Sequence, residues 1–333
     1  MAEKKDIRVS IIVPVKKVND YIFESIPKLL QIKRDDFEII IFTDEEDREH
    51  TWTKTKIIPS GVVGPAEKRD LALQYARGEI LAFLDDDAYP EAGWLENALE
   101  NFDDKSVGAV GGPAVTPQDD GVLEKASGAV FESFLGGGTA RNRYLPMGTR
   151  KQVDDWPTVN FLIRKDVFKQ VGGFNSAYWP GEDTKLCLDI INAGYTIIYD
   201  PNSIVYHHRR KDILKHLKQI GNYAIHRGYF AKRYPKNSYK LPYFVPSAFA
   251  VYLLLLVASL FIFPGSYVLI FSIPLFVYIV GLVMDAIIIG IRWKNLAVAL
   301  AVMPLIFLTH IWYGVRFIQG LVFTKKLKSE LRK

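Results

Sequence analysis

The chain has 333 residues, with 42 Lys and Arg against 37 Asp and Glu and a formal net charge of +5. That length is too great for one small domain and suggests about two units. A single cysteine, Cys187, excludes an internal disulfide and any cysteine-rich metal site; it reads as a small buried hydrophobe.

Hydrophobic residues make up 49% of the chain, unevenly spread. Residues 1 to about 240 have the mixture of an ordinary soluble α/β protein, and residues from about 243 to 323 are almost uncharged. Met1 to Arg8 is charged and has no apolar h-region, so the first domain is expected on the cytoplasmic side.

Val9 to Val15 is a continuous apolar strand ended by Pro14. Asp20 to Ile32 carries helical periodicity. Phe37 to Phe42 is a second strand that ends at Thr43-Asp44. Ala66 to Ala76 is a helix with Gly78 as its stop signal. Ile80 to Leu84 is the next strand and Pro90 to Asn101 the next helix. Alternating helices and fully apolar strands predict an α/β fold: an open, mostly parallel, Rossmann-like sheet with helices on both faces. Ligands of such sheets sit at the carboxyl ends of the strands. Here those ends are Pro14-Val15, Asp44 and Asp85-Asp86-Asp87.

Three carboxylates after a strand repel one another, but they suit a hard divalent cation that bridges to phosphate oxygens. Strand alternation sends Asp85 and Asp87 one way and Asp86 the other. A solvated acidic turn is the plainer reading, and the convergence of strand ends favours the metal. A second constellation, Trp179-Pro180-Gly181-Glu182-Asp183, precedes the predicted helix Thr184 to Asn192. Its carboxylates either cap that helix or supply a general base. Gly136-Gly137-Gly138-Thr139, with Arg141 and Arg143, is either a loop that closes over phosphates or a plain linker. Trp156 and Asn160 precede a strand and are expected to border an acceptor, although a core tryptophan is as common.

Residues 207–242 are strongly basic, and Ile213, Leu217, Ile220 and Ala224 fall on one helical face. This predicts an interfacial helix on anionic lipid; nucleic acid is not expected as a partner. The apolar region 243–323 then holds spans at about 244–263 and 267–290, with Asp285 near the end of the second. The basic, aromatic Arg292-Trp293-Lys294-Asn295 follows, so both feet of this hairpin are expected in the cytoplasm. A third segment, 296–323, contains Pro304, His310, Arg316 and Gln319. A full crossing would carry the basic tail, 324–333, outward against the charge rule. The segment is therefore expected to break near Pro304 and return, or to lie partly in the interface.

These pieces, in this order, resemble the family 2 glycosyltransferases of the GT-A fold. The resemblance covers about Val9 to Tyr234. It rests on Val9-Ser10-Ile11-Ile12-Val13-Pro14-Val15, on Ala76 to Asp87, on Gly172-Gly173-Phe174 and on Gly181-Glu182-Asp183, followed by Gly194-Tyr195 and Tyr206-His207-His208. The helical membrane region resembles members that build extracellular or lipid-linked glycans.

The resemblance implies a catalytic domain at 1–206 and roles for single residues. Pro14, Val15, Asp44, Arg69, Asp85 and Asp86 would bind the donor, with Asp44 at the base or ribose. Asp87 and Asp85 would hold Mn2+ or Mg2+. Asp183 would be the base, with Glu182 beside it. Trp156, Asn160, Trp179, His207, His208 and Arg141 would contact acceptor or phosphate. The implied reaction is inverting transfer from a nucleotide diphosphate sugar, expected to be a UDP-sugar, to a hydroxyl of a lipid-linked glycan. The alternatives are a polyprenyl-phosphate sugar synthase and a non-catalytic membrane scaffold on a transferase fold.

The sequence departs from the family pattern around Asp44, where Thr43 precedes and Glu45-Glu46 follow, and at Asp70, where asparagine is usual. Gln219 to Tyr223 is only a faint echo of the processive synthase motif, so a non-processive enzyme is expected.

Overall fold

The strands rich in Val, Ile and Phe carry almost no polar residues, so each can be buried on both faces. In the computed structural model, which describes residues 6–175 and 178–327, Val9–Pro14, Phe37–Thr43 and Ile80–Leu84 are buried throughout. Lys328, Arg332 and Lys333 of the basic tail lie outside the described residues, as do residues 1–5 of the charged N-terminus.

The described chain forms two units, residues 6–115 with 145–208, and residues 116–144 with 209–327. In chain order the first unit begins β1 (Val9–Pro14), α1 (Asp20–Leu30), β2 (Phe37–Thr43), β3 (Thr55–Pro59), α2 (Pro65–Asp70), α3 (Ala72–Tyr75), β4 (Ile80–Leu84), β5 (Ala88–Pro90), α4 (Trp94–Glu100), β6 (Val107–Gly111) and β7 (Ala114–Val115). The chain then enters the second unit as α5 (Val122–Glu132) and α6 (Phe134–Gly137). It returns to the first as β8 (Lys151–Val153), β9 (Asn160–Arg164), α7 (Lys165–Gln170), α8 (Glu182–Asn192), β10 (Thr196–Tyr199) and β11 (Val205–His207). The second unit ends with α9 (Ile213–Arg233), α10 (Pro235–Ser238), α11 (Val245–Ile262), α12 (Gly265–Trp293) and α13 (Leu296–Ile318).

Among the described residues of the first unit, eight strands form one sheet in the order β3-β2-β1-β4-β9-β6-β10-β8, and β5-β11-β7 form a smaller one. β1 to β4 run parallel, as does β6 with β10. β9 is antiparallel to both its neighbours and β8 to β10, so the sheet is mixed. Side chains alternate between its two faces. Ile11, Val13, Ile39, Ile41, Ala82 and Leu84 pack with Ile22, Ile26 and Leu29 of α1 and with Trp94, Leu95 and Leu99 of α4. Ile12, Ile40, Phe42, Leu81 and Phe83 pack with Ala66, Phe168, Leu186 and Ile190 of α2, α7 and α8. At about 1.5–3 kcal/mol for each fully buried large apolar side chain, these two layers hold the sheet rigid under its strand ends.

Residues 116–144 were expected in the first domain. Their small and apolar face explains why they belong to the second unit: Ala126, Ala129 and Val130 of α5 pack against Leu282, Ala286 and Ile289 of α12 and Val298, Val302 and Leu305 of α13. The glycine run is neither an open loop nor a linker. It folds as α6 followed by a 3-10 turn over Gly138–Arg143, and the Asp285 carboxylate accepts the N–H groups of Phe134 and Leu135.

Among the described residues, three helical segments, Leu241–Ile262, Gly265–Trp293 and Leu296–Phe323, are long and apolar enough to cross a membrane. The expected break at Pro304 does not occur. α13 is continuous through Pro304 and runs on into a π-helical turn, Gln319–Phe323. Neighbouring helices make such a proline tolerable by covering its surroundings; 39% of the most apolar window of this segment is buried, against 6% for α12. At Pro274 in α12, the Tyr252 hydroxyl accepts from Leu275 N–H and donates to Phe271 C=O.

The stripe expected to face lipid on α9 is largely used against protein. Ile220 and Ala224 are buried, whereas Ile213 is exposed. Glycines explain the closeness of α9 to α13: a Cβ on Gly228 would lie 2.2 Å from the Phe317 carbonyl oxygen.

Two predictions concern this framework. Gly78 N–H donates to Ser10 Oγ, and a Cβ there would lie 2.5 Å from Ser10 N. Backbone cannot yield as a side chain would, so Gly78→Ala should cost about 1–3 kcal/mol, read from denaturant midpoints of the detergent-solubilised protein. His216 is buried with its ring nitrogens on Ser127 Oγ and Thr309 Oγ1, and burial pulls its pKa down to about 4. Its contribution is complete above the unfolded value of about 6.5 and is lost as pH falls from there through about 4. The thermal midpoint should fall in that window, and fall less in His216→Gln.

Candidate active site

The carboxyl end of β4 delivers Asp85, Asp86 and Asp87 beside the N-terminal end of α1, the α2 helix and β11, and each carboxylate meets a different partner. Asp85 Oδ1 accepts from Arg69 Nη2 at 2.5 Å. Asp86 Oδ2 accepts from Asn19 Nδ2 at 2.8 Å. Asp87 Oδ1 lies 3.0 Å from His207 Nε2. β11 brings His207 there because it pairs antiparallel with β5, with His207 opposite Ala88. The clasp is closed by His208 N–H donating to the Asp87 carbonyl at 3.0 Å.

Asp85, Asp87 and His207 each offer one ligand atom, and these atoms all lie within 4.8 Å of one another. Two carboxylate oxygens and an imidazole nitrogen suit a divalent cation such as Mn2+. Asp86 is turned away to α1, and burial, then the charge of Asp87, raises its pKa to about 6 against the hydrogen bond from Asn19.

Arg69 connects this group to the acidic start of α8. Its guanidinium is buried, with Nη1 3.6 Å from Glu182 Oε1 and the cation 5.7 Å from the Phe174 ring centre. Arg69 Nε and Nη1 make no hydrogen bond among the described residues. Glu182 is buried too. Burial first, and then the charge of Asp183, drives its carboxyl well above the usual range, with Arg69 opposing. Gly181, at φ 107°, turns the chain into α8. Asp183 is half-buried in the first turn and accepts from Thr184 N–H at 2.7 Å, where the helix dipole favours its charge.

Asp44 meets a residue that motif reading missed. Lys68 is fully buried, donates to the Val15 carbonyl at 2.5 Å and the Phe42 carbonyl at 3.4 Å, and also donates to Asp44 Oδ1. A lysine is almost never buried unless paired. The available signal was its place beside Arg69 in a short helix that packs on the sheet through Ala66. Asn19 was missed as well: it caps α1 through Ile22 N–H while it donates to Asp86. Glu24 holds His208 at 2.8 Å, and the His208 ring lies against those of Tyr21 and Tyr89. Asp70 is used structurally, accepting from Phe174 N–H at 2.7 Å.

The structure gathers Asp44, Arg69, Asp85, Asp86, Asp87, Glu182, His207 and His208 through these contacts. Pro14 and Val15 are buried beside them. Trp179 is half-buried just before Gly181. The placement of Trp156 and Asn160 corrects the expectation that they border an acceptor. Trp156 is buried on Tyr199 and donates to the Gly112 carbonyl. Asn160 accepts from Trp94 Nε1 and donates to the Pro113 and Ser203 carbonyls. Both of its amide hydrogens are used and the side chain is fully buried. Arg141 belongs to the second unit, where its Nε donates to the Glu132 carbonyl.

Comparison with known proteins identifies the family and fold that residues 10–172 resemble. The model of glycosyl transferase family 2 matches residues 10–172. The pre-mycofactocin glycosyltransferase of Mycobacterium tuberculosis is 30% identical over 175 residues, which are 53% of this chain and 36% of that protein. The chain thus spans about a third of that relative's length. The dolichyl N-acetyl-alpha-D-glucosaminyl phosphate 3-beta-D-2,3-diacetamido-2,3-dideoxy-beta-D-glucuronosyltransferase of Methanococcus voltae is 21% identical over 335 residues, 94% of this chain and 97% of that protein. The mannosyltransferase PcManGT from Pyrobaculum calidifontis, solved with GDP-Man and Mn2+, has the same fold. It superposes with a TM-score of 0.63 at 18% identity over 97% of this chain and 89% of that one. The protein therefore carries a glycosyl transferase family 2 domain of GT-A fold, joined to helices long and apolar enough to cross a membrane.

Proposed function

We propose that the protein is a membrane-anchored, metal-dependent, inverting glycosyltransferase. It moves a sugar from a nucleotide diphosphate sugar, a UDP-sugar in this reading, to a hydroxyl of a lipid-linked glycan. The observation that carries the proposal is the union, through one buried arginine, of the Asp85, Asp87 and His207 group with the Glu182-Asp183 pair.

Asp85, Asp87 and His207 would hold Mn2+ or Mg2+, which supplies Lewis-acid charge to the leaving diphosphate. Asp44, its carboxylate fixed by Lys68, accepts a donor N–H or hydroxyl from the nucleoside. Arg69 stands at the donor side and holds Asp85 and Glu182 in register. Asp183 takes the proton from the acceptor hydroxyl. The oxygen forms a bond to the anomeric carbon from the face opposite the nucleotide. The bond from that carbon to the diphosphate oxygen breaks, its electron pair leaves with the nucleoside diphosphate, and the configuration inverts. Glu182, buried next to Asp183, is kept from competing for that proton by its own cost of ionisation.

In this reading the catalytic domain lies on the cytoplasmic face. α11 and α12 form a hairpin anchor, and the basic residues Arg292 and Lys294 at its foot support that orientation. A lipid-linked acceptor fits an enzyme held at headgroup level, and the name of the Methanococcus voltae relative gives a dolichyl N-acetyl-alpha-D-glucosaminyl phosphate.

The test is release of nucleoside diphosphate by the detergent-solubilised protein, over a panel of nucleotide sugars, with Mn2+, Mg2+ or chelator. Turnover of one donor should require metal and vanish in Asp87→Ala. Asp183→Asn should lower turnover roughly a hundredfold or more while circular dichroism stays unchanged. Near-normal turnover in that variant would remove Asp183 from the role of base.

A further inference from the structure

The transfer chemistry gives α1 no role, yet the residues next to all three candidate ligands are held by it. Side chains alternate along extended backbone. Asp85 and Asp87 send Asp86 the other way, and His207, whose ring meets Asp87, does the same to His208. Both displaced side chains reach α1. Asn19, its N-cap, accepts from Ile22 N–H and donates to Asp86 Oδ2 at 2.8 Å. Glu24, five residues on, takes the other: His208 Nε2 donates to Glu24 Oε2 at 2.8 Å.

The helix is itself fixed, because Ile22, Ile26 and Leu29 are buried in the core. Glu24 is also held on its second oxygen. Lys28 Nζ donates to Glu24 Oε1 at 2.7 Å and lies 3.0 Å from the Tyr89 ring centre. Burial opposes the charge of Glu24, and the hydrogen bonds of Lys28 and His208 outweigh it and hold the carboxyl below its usual range. The His208 ring centre lies 5.1 Å from that of Tyr21 on α1 and 5.8 Å from that of Tyr89 in β5.

The strands explain why such a clamp matters. β5 and β11 have three residues each and pair antiparallel, and pairing this short is marginal by itself. Its last backbone bond, from His208 N–H to the Asp87 carbonyl, joins the two ligand-bearing segments. Without a hold on the His208 side chain, the end of β11 would sample more positions, and a cation would have to order His207 on binding. Groups that orient ligand residues alter metal affinity by roughly 10- to 100-fold. An i,i+4 Glu-Lys pair contributes little to a helix, so helix stability alone does not account for a carboxylate that reaches across to His208.

We propose that α1 positions the cation site, with Glu24 acting through His208 on His207 and Asn19 acting through Asp86 on the Asp85 and Asp87 carboxylates. The proposal rests on the reading of Asp85, Asp87 and His207 as ligands of Mn2+ or Mg2+, and its test needs neither donor nor turnover. Mn2+ binding to the full-length protein in detergent would be followed by electron paramagnetic resonance of the free ion. Histidine ligation would be read from the nitrogen modulation of the spin echo of bound Mn2+. The unmodified protein should bind Mn2+ and show that nitrogen, and Asp87→Ala should lose binding. Glu24→Ala should weaken binding about tenfold or more and diminish the nitrogen signal at saturating Mn2+. Glu24→Gln keeps an oxygen that accepts from His208 and should recover most of the affinity. Asn19→Ser keeps the N-cap but is too short to reach Asp86, and it should weaken binding while the nitrogen signal remains. Asp20→Asn, which removes a carboxylate at an exposed position of the same helix, should bind Mn2+ like the unmodified protein.

Unchanged affinity in both Glu24→Ala and Asn19→Ser would overturn the proposal. Equal weakening in Asp20→Asn would overturn it too, because the effect would be one of net charge. A loss of affinity that follows a lowered thermal midpoint, with no rescue by Glu24→Gln, would make Glu24 a structural residue only. Mn2+ binding that needs Asp87 but is indifferent to Glu24 and Asn19 would sink this proposal and leave the metal reading standing. No Mn2+ binding by the unmodified protein would sink both.

Discussion

A guanidinium out of water must be matched by a carboxylate, and in the first unit Arg69 is matched by Asp85 and lies 3.6 Å from the carboxyl of Glu182, two groups from distant parts of the chain. Asp85 follows β4, and Glu182 opens α8. Breaking a buried ion pair on one side leaves an uncompensated charge costing about 3–5 kcal/mol. Neither the Asp85 to Asp87 turn nor the acidic start of α8 can therefore wander without the other. This fixed cation also lowers the cost of gathering Asp85, Asp86, Asp87, Glu182 and Asp183 in a small region. Without it the repulsion among those carboxylates would favour protonation of several of them.

The five carboxylates differ in surroundings, and the surroundings divide their work. Asp85 and Asp87 each bring a carboxylate oxygen within 4.8 Å of the other and of a His207 ring nitrogen. Asp86 is held by Asn19, buried, and costly to ionise. Glu182 is the most deeply enclosed, and Asp183, one residue later, is half-exposed at a helix start. Lys68 does for Asp44 what Arg69 does for Asp85, with the carbonyl ends of β1 and β2 as further anchors. Two adjacent basic residues on α2 thus brace Asp44 and Asp85.

The second unit uses close packing where the first uses charge. Gly221 and Gly228 bring α9 onto α13, and Ala126 and Ala129 make α5 narrow enough to lie against apolar helices. Apolar helices in lipid gain little from burying more apolar surface and depend on such fit. The same closeness forces polar groups into defined pairs. His216 joins α5 to α13 through Ser127 and Thr309, and Asp285 caps α6.

The sequence by itself determined the α/β class, the strand ends that carry the site and the run of apolar helices. Strand alternation, the strand-terminal aspartates and 20-residue apolar lengths are local properties, and local sterics and solvation decide them. Glu182 and Asp183 were visible for the same reason, as the acidic start of a helix after a glycine turn. Only the tertiary structure decided the partners. No spacing announces that Arg69 spans Asp85 and Glu182, that Lys68 reaches Asp44, or that β11 pairs with β5 to carry His207 to Asp87. These contacts depend on register and on which helix face meets the sheet. Tertiary packing also turned Trp156 and Asn160 into the core, kept α13 helical through Pro304 and drew residues 116–144 away from the first domain. In each case the energy of burial against a neighbour outweighed the local signal, and that neighbour lies far away in sequence.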